Sequence, residues 1–154
     1  MPDTTPQHEL SGLVKDIITQ PDTTFETLAA REESPVEVLQ QFVVPLLIMG
    51  SASSFLGGLF AGAENAWANA ALRAATAFIV QFISLVAGGY LISWMAPYMG
   101  GNYAPANSFR LVFYATMPAY LAQIIGNLHV SLSFVELFGL YSFWLYYKAA
   151  PHFL

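Results

Sequence analysis

Residues 74–96, AATAFIVQFISLVAGGYLISWMA, run for 23 positions without a charge. At about 1.5 Å per residue, a helix of that length covers about 34 Å, enough to cross a hydrocarbon core of about 30 Å. Its polar members are Thr76, Gln81, Ser84 and Ser93, whose side chains can bond the preceding turn or a neighbouring helix. Arg73 stands at one end of the run, with Trp94, Pro97 and Tyr98 at the other, in the manner of interfacial anchors. A soluble protein can bury one such helix. This chain repeats the pattern, which predicts an all-α fold: a polytopic transmembrane helical bundle.

The distribution of charge supports that reading. The chain is 56% hydrophobic and 10% charged, against about 25% charged in an average soluble domain. Of its fifteen charged residues, ten precede Leu39, and eight of those ten are acidic. From Leu39 onward only Glu64, Arg73, Arg110, Glu136 and Lys148 remain. The chain therefore divides into an acidic N-terminal segment, residues 1–34, and a membrane body, residues 35–154. A net charge of −5, concentrated ahead of the membrane, argues against nucleic acid and against electrostatic docking on anionic lipid. The absence of cysteine excludes disulfides and thiolate chemistry. The first ten residues, MPDTTPQHEL, lack the basic flank and apolar core of a cleavable signal peptide, so the first span would direct insertion itself.

Leu10, Leu13, Val14, Ile17 and Ile18 form one apolar stripe on a short helix that Pro21 ends. The stripe suits packing against the protein as well as it suits lying in the membrane interface. Thr23 and Glu26 have the spacing of a capping box for a second short helix through Arg31. Ser34, Pro35 and Glu37 supply a stronger start signal, opening a first span over residues 39–62. Pro45 should bend that span. Gly50, Ser54, Gly58 and Gly62 recur along it every fourth residue, beside a second row of Ser53, Gly57 and Ala61. Small residues at this spacing let helix backbones approach closely where lipid offers no hydrophobic drive for association. The partner is either an internal helix or a second copy.

A connection over residues 63–73, with Glu64, Trp67 and Arg73, leads into the second span at 74–96. Residues 97–108 read as a loop, and Asn107 or Ser108 caps a third span over 109–127 in which Pro118 should introduce a kink. A fourth span, over 130–147, carries Glu136 and ends in an aromatic belt beside Lys148. With a cytoplasmic N-terminus, Lys15, Arg31, Arg110 and Lys148 fall inside and only Arg73 outside, the expected bias.

The order of these features resembles the Yip family of Ypt/Rab-interacting membrane proteins in its compact prokaryotic form. The residues that carry the likeness are Pro21, Phe25 and Leu28, then Phe42 with Pro45-Leu46, then Ser108-Phe109-Arg110-Leu111 with Tyr114-Ala115 and Pro118, and Gly139-Leu140-Tyr141-Ser142 with Tyr146-Tyr147. The resemblance implies a cytosolic N-terminal segment, residence in the bacterial inner (cytoplasmic) membrane, and five spans, of which this chain offers four before Leu154. It implies a role of the trafficking or membrane-organising kind, with no settled biochemical activity for prokaryotic relatives.

Glu136 is the one ionisable side chain expected well inside an apolar span, where an ionised carboxylate costs at least about 2.5–3.5 kcal/mol. It is either a proton- or cation-binding group or a neutral partner of Gln81, Gln123 or Tyr114. His129 shares its face at the turn between spans three and four, where an interfacial role fits better than a relay. Three scattered histidines give no metal site, and no nucleophile elbow, HExxH, Walker or GxGxxG pattern occurs. No cofactor and no catalytic residue is expected. The functional expectation is a non-enzymatic membrane scaffold with lipids, protein partners or a homo-oligomer as its contacts. The alternative is a small transporter or channel subunit built around Glu136.

Overall fold

The computed structural model describes residues 6–31, 33–61, 64–101, 103–128 and 130–154. Every regular element among them is helical. Two short helices, α1 (Pro6–Thr19) and α2 (Pro21–Ala30), precede a single turn, α3 (Pro35–Val38). The helices α4 (Val44–Phe60), α5 (Ala66–Met95), α6 (Pro105–Gly126) and α7 (Gly139–Phe153) form the body.

The start of the body follows the predicted signal. The Ser34 hydroxyl accepts from the Glu37 amide, and the Glu37 carboxylate accepts from the Ser34 amide at 2.7 Å, a complete capping box with Pro35 in the first turn. Pro45, by contrast, is accommodated upstream rather than at its own position. Residues Leu39–Val43 wind as a π-helix, and the Val44 amide donates to the Leu39 carbonyl five residues back. A proline cannot supply the amide that its preceding turn needs, and one wider turn absorbs the mismatch.

Several predicted boundaries are corrected. Helix α2 opens at Pro21, and the hydroxyls of Thr23 and Thr24 both donate to the Gln20 carbonyl, so the Thr23–Glu26 pair caps nothing. Residues 66–73, expected as a connection, are the first two turns of α5; their alanines are the strongest helix formers. Helix α6 begins at Pro105 rather than at the Asn107–Ser108 cap, and Ser108 Oγ donates back to the Ala104 carbonyl at 3.2 Å. Residues Ala96–Met99, inside the expected loop, form a 3₁₀ turn. The predicted fourth span divides: Val130–Phe138 is 3₁₀, and α7 then carries the chain to Phe153, past the expected end at 147. Val130, Ser131, Ser133, Phe134 and Val135 are weak α-helix formers, which favours the looser alternative there. Pro118 lies within α6, which continues through it to Gly126.

The four long helices alternate in direction. Gly58 meets Ala70 and Gly50 meets Gln81, so α4 and α5 run antiparallel. Gly89 lies against Phe109 and Gly88 near Val112, so α5 and α6 do too. Gly126 abuts Glu136 while Tyr114 stacks near Phe153, which reverses α7 against α6. Helix α6 occupies the centre. Its residues 110–115 are buried consecutively, so protein surrounds it on all sides. That explains how it tolerates Ser108, Arg110 and Thr116.

Two stretches, Pro35–Phe60 and Ala66–Tyr98, are long and apolar enough to cross a membrane; four such spans are not shown. Helix α5 buries only the narrow row Ala70, Gln81, Leu85, Gly89 and Ser93. Phe78, Ile79, Phe82, Ile83, Leu91 and Trp94 face outward. A soluble monomer rarely exposes a contiguous apolar surface of more than a few hundred Å². The apolar surface of α5 fits association with a membrane.

The second small-residue row is the tighter one. A Cβ on Gly57 would coincide with the Asn127 carbonyl at the end of α6. Gly57→Leu should therefore destabilise the folded protein by about 1–3 kcal/mol through overpacking, read as a lower thermal midpoint in detergent. Gly12→Ala, in α1 with no atom near its Cβ position, should leave the midpoint unchanged or slightly raised.

Candidate functional site

The polar centre of the molecule lies where α6 meets the N-terminal helices. Arg110 is only 5% exposed. Its Nη2 donates to the Leu28 carbonyl and, at 2.7 Å, to the Arg31 carbonyl. Both acceptors belong to the C-terminal end of α2, which carries the negative end of its dipole; the Leu28 carbonyl also accepts from the Arg31 amide at 3.3 Å. A buried cation is thus held by helix-end carbonyls, with no carboxylate within ion-pair distance among the described residues. The ring of Phe153 lies 5.5 Å from the guanidinium carbon and adds a cation–π contact from α7.

One turn along the same face, the fully buried Tyr114 donates its hydroxyl to Glu33 Oε2 at 2.6 Å. The other Glu33 oxygen receives Arg31 Nη1 at 3.2 Å. Arg31 is half exposed, so that outer pair adds little. Phe25, Phe42 and Phe153 close the apolar side, with the Phe25–Phe153 and Tyr114–Phe153 ring centroids 6.4 and 6.3 Å apart. Two further contacts hold the hairpin of α1 and α2. Tyr141 donates to the Ile18 carbonyl at 3.1 Å, and Lys148 pairs with Asp22 at 3.0 Å. Val14, Ile17, Phe25 and Leu28 are buried beneath them. Val14 and Ile17 of the stripe on α1 therefore pack against the protein, with Leu13 half-buried and Ile18 exposed, and the segment 1–34 is docked over its described part.

Sequence reasoning took Arg110 for a boundary anchor. The signal that could have found its role is the pair Arg110 and Tyr114, four residues apart and one turn inside an otherwise apolar helix. The residues singled out instead are dispersed. Gln81 is 6% exposed at the α4–α5 contact, its amide beside Gly50 and without a hydrogen-bond partner. Gln123 lies near Ser54 in a cleft between α4 and α6. Tyr114 is engaged by Glu33. Glu136 is exposed beside Gly126, level with the last turn of α6. Nothing brings Glu136 to Gln81 or Tyr114. Gly50 and Gly58 face α5, while Gly62 and His129 lie outside the described residues.

Among the described residues no three histidine, aspartate or glutamate side chains converge as a metal site. The arrangement can hold and orient one segment against another.

The Yip1 domain family matches residues 15–154 of the chain. No curated protein matches it, and no solved structure does.

Arg110→Leu removes both hydrogen bonds to the end of α2 and leaves the Arg31 carbonyl to find another partner, a loss of about 2–3 kcal/mol. It should free the hairpin, seen as faster proteolysis before Ser34 while the rest of the chain stays protected. Tyr114→Phe should give a smaller increase of the same kind. Cleavage rates equal to wild type in Arg110→Leu would refute the clamp.

Proposed function

The chain belongs to the Yip1 domain family, and from that membership we propose that it is a non-enzymatic, multi-pass integral membrane protein that organises membrane or protein partners. The family makes it a membrane-associated protein of the trafficking type. In our reading the body crosses the inner membrane of a bacterium four times, with α6 shielded from lipid by its neighbours. The N-terminal hairpin stands on the cytoplasmic side, where Lys15, Arg31, Arg110 and Lys148 gather.

The observation that carries the scaffold reading is the clamp. An acidic hairpin that is docked through a buried arginine presents Asp16, Asp22 and Glu26 outward in a fixed arrangement. A rigid display of this kind suits recognition by a partner, because little conformational freedom is lost on binding. The transporter alternative, with Glu136 as a proton- or cation-binding group, draws no support from positions that leave Glu136 at the surface and the other polar residues apart.

Two measurements test the proposal. The protein should stay with the membrane pellet after extraction at alkaline pH; release into the supernatant would end the membrane reading. Photo-crosslinkers placed at Asp16 and Glu26 should capture a specific protein partner or a second copy, and Arg110→Leu should cut that yield several-fold. Neither partner nor oligomer, together with lipid order unchanged by the protein in vesicles, would end the scaffold reading. Proton flux in liposomes should be at background for wild type and for Glu136→Gln alike.

A further inference from the structure

We propose that the cleft between α4, α5 and α6, at the end of the bundle away from the N-terminal hairpin, binds the phosphate of an anionic membrane phospholipid through Arg73. The inference rests on the membrane reading above.

The cations of the chain fall into different circumstances. Arg31 pairs with Glu33 and Lys148 with Asp22. Arg110 is buried against carbonyls. Like Lys15 on α1, Arg73 is exposed and, among the described residues, has no carboxylate within ion-pair distance. Its side chain is positioned by an absent one. The Arg73 Cδ lies 3.5 Å from where a Cβ on Gly58 would stand, so the missing side chain on α4 leaves room for the arginine stem.

Around Arg73 the cleft has a volume of ≈ 440 Å³. Ser54 from α4, Thr76 from α5, and Gln123 and Asn127 from α6 line it, with Val80 supplying apolar wall. No carboxylate lines it among the described residues. The Asn127 amide nitrogen Nδ2 is buried without a hydrogen-bond partner, a donor in want of an acceptor. A guanidinium, a hydroxyl and amide donors over an apolar wall match a phosphodiester whose acyl chains continue along the helices. Arginine is the side chain best suited to phosphate, for its planar fork of donors.

Depth points to a lipid as the source. Helix α5 has 30 residues, a length of about 45 Å against a hydrocarbon core of about 30 Å. Trp94 and Tyr98 sit at its far end as interfacial aromatics. The excess then falls on the turns from Ala66 to Arg73, which places Arg73 at the level of the lipid phosphates.

The test uses the purified full chain in a neutral detergent, with short-chain phosphatidylglycerol, short-chain phosphatidylcholine and inorganic phosphate added separately. Phosphatidylglycerol should raise the thermal midpoint saturably, with the other two giving little shift. Arg73→Gln should weaken the phosphatidylglycerol response about ten-fold, the scale of one charge-assisted contact, while Arg73→Lys keeps part of it. The wild-type preference for phosphatidylglycerol over phosphatidylcholine should fall several-fold between about 50 mM and about 500 mM salt as screening grows; this arm needs no variant and decides the matter if Arg73→Gln does not fold. An unchanged response in folded Arg73→Gln, a preference indifferent to salt, or an equal shift with phosphatidylcholine overturns the proposal. A full shift with inorganic phosphate alone overturns it in favour of a free-phosphate site. Retention of the chain in alkali-washed membranes alongside any of these failures would show that the membrane reading stands and only the lipid site falls.

Discussion

The guanidinium of Arg110 is the contact on which the arrangement of the whole molecule depends. It sits on the central helix, bonds to the last carbonyls of α2, and lies against a ring from the end of α7. Three parts of the chain that are far apart in sequence therefore meet on one side chain. A cation buried among apolar groups is costly unless its donors are matched; the carbonyls at a helix end match Nη2, while Nε is buried with no hydrogen-bond partner among the described residues. Tyr114 and Glu33 repeat the theme a turn away, converting an acidic linker into a second point of attachment.

Around this polar centre the body is assembled by close approach as well as by a core of large side chains, among them Leu46, Leu47, Leu111, Met117 and Leu145. Gly58 against Ala70, Gly57 against Asn127 and Gly89 against Phe109 bring α4 to α5, α4 to α6 and α5 to α6. The surfaces left outward are apolar on α5 and along the 3₁₀ segment and α7, where Phe134, Leu137, Phe138 and Phe143 are exposed. On α5 the distribution is inverted: Ala70, Gln81, Gly89 and Ser93 face inward beside Leu85, and bulky apolar residues face outward. Such a distribution fits an environment in which packing contacts, not the removal of oil from water, hold helices together.

Much of this was legible in the sequence, and the exceptions have physical causes. The helical class, the family, the Ser34 capping box and the two strongest spans were written in local patterns of charge, spacing and length. The start of α5 was missed because Trp67, Asn69 and Arg73 suggest water, yet a helix can carry polar residues beyond the bilayer edge. The course of Val130–Phe138 was missed because apolar content does not distinguish a 3₁₀ from an α winding. The role of Arg110 was missed because its acceptors are backbone carbonyls some eighty residues earlier. Backbone groups leave no trace in composition, so a long-range contact of this type has no partner to find by reading side chains. Glu136 attracted attention as an isolated acid, but its depth was set by where α6 ends, which the sequence left to within a turn or two.

The length of α5 carries a consequence for how the molecule sits. A rod of about 45 Å in an apolar layer of about 30 Å must lean or protrude. Because Gly50 and Gly58 bind α4 to it along most of their shared length, the two cannot lean separately. With Gly57 against Asn127 and Gly89 against Phe109 tying both to α6 as well, any lean is shared by the three helices as one body.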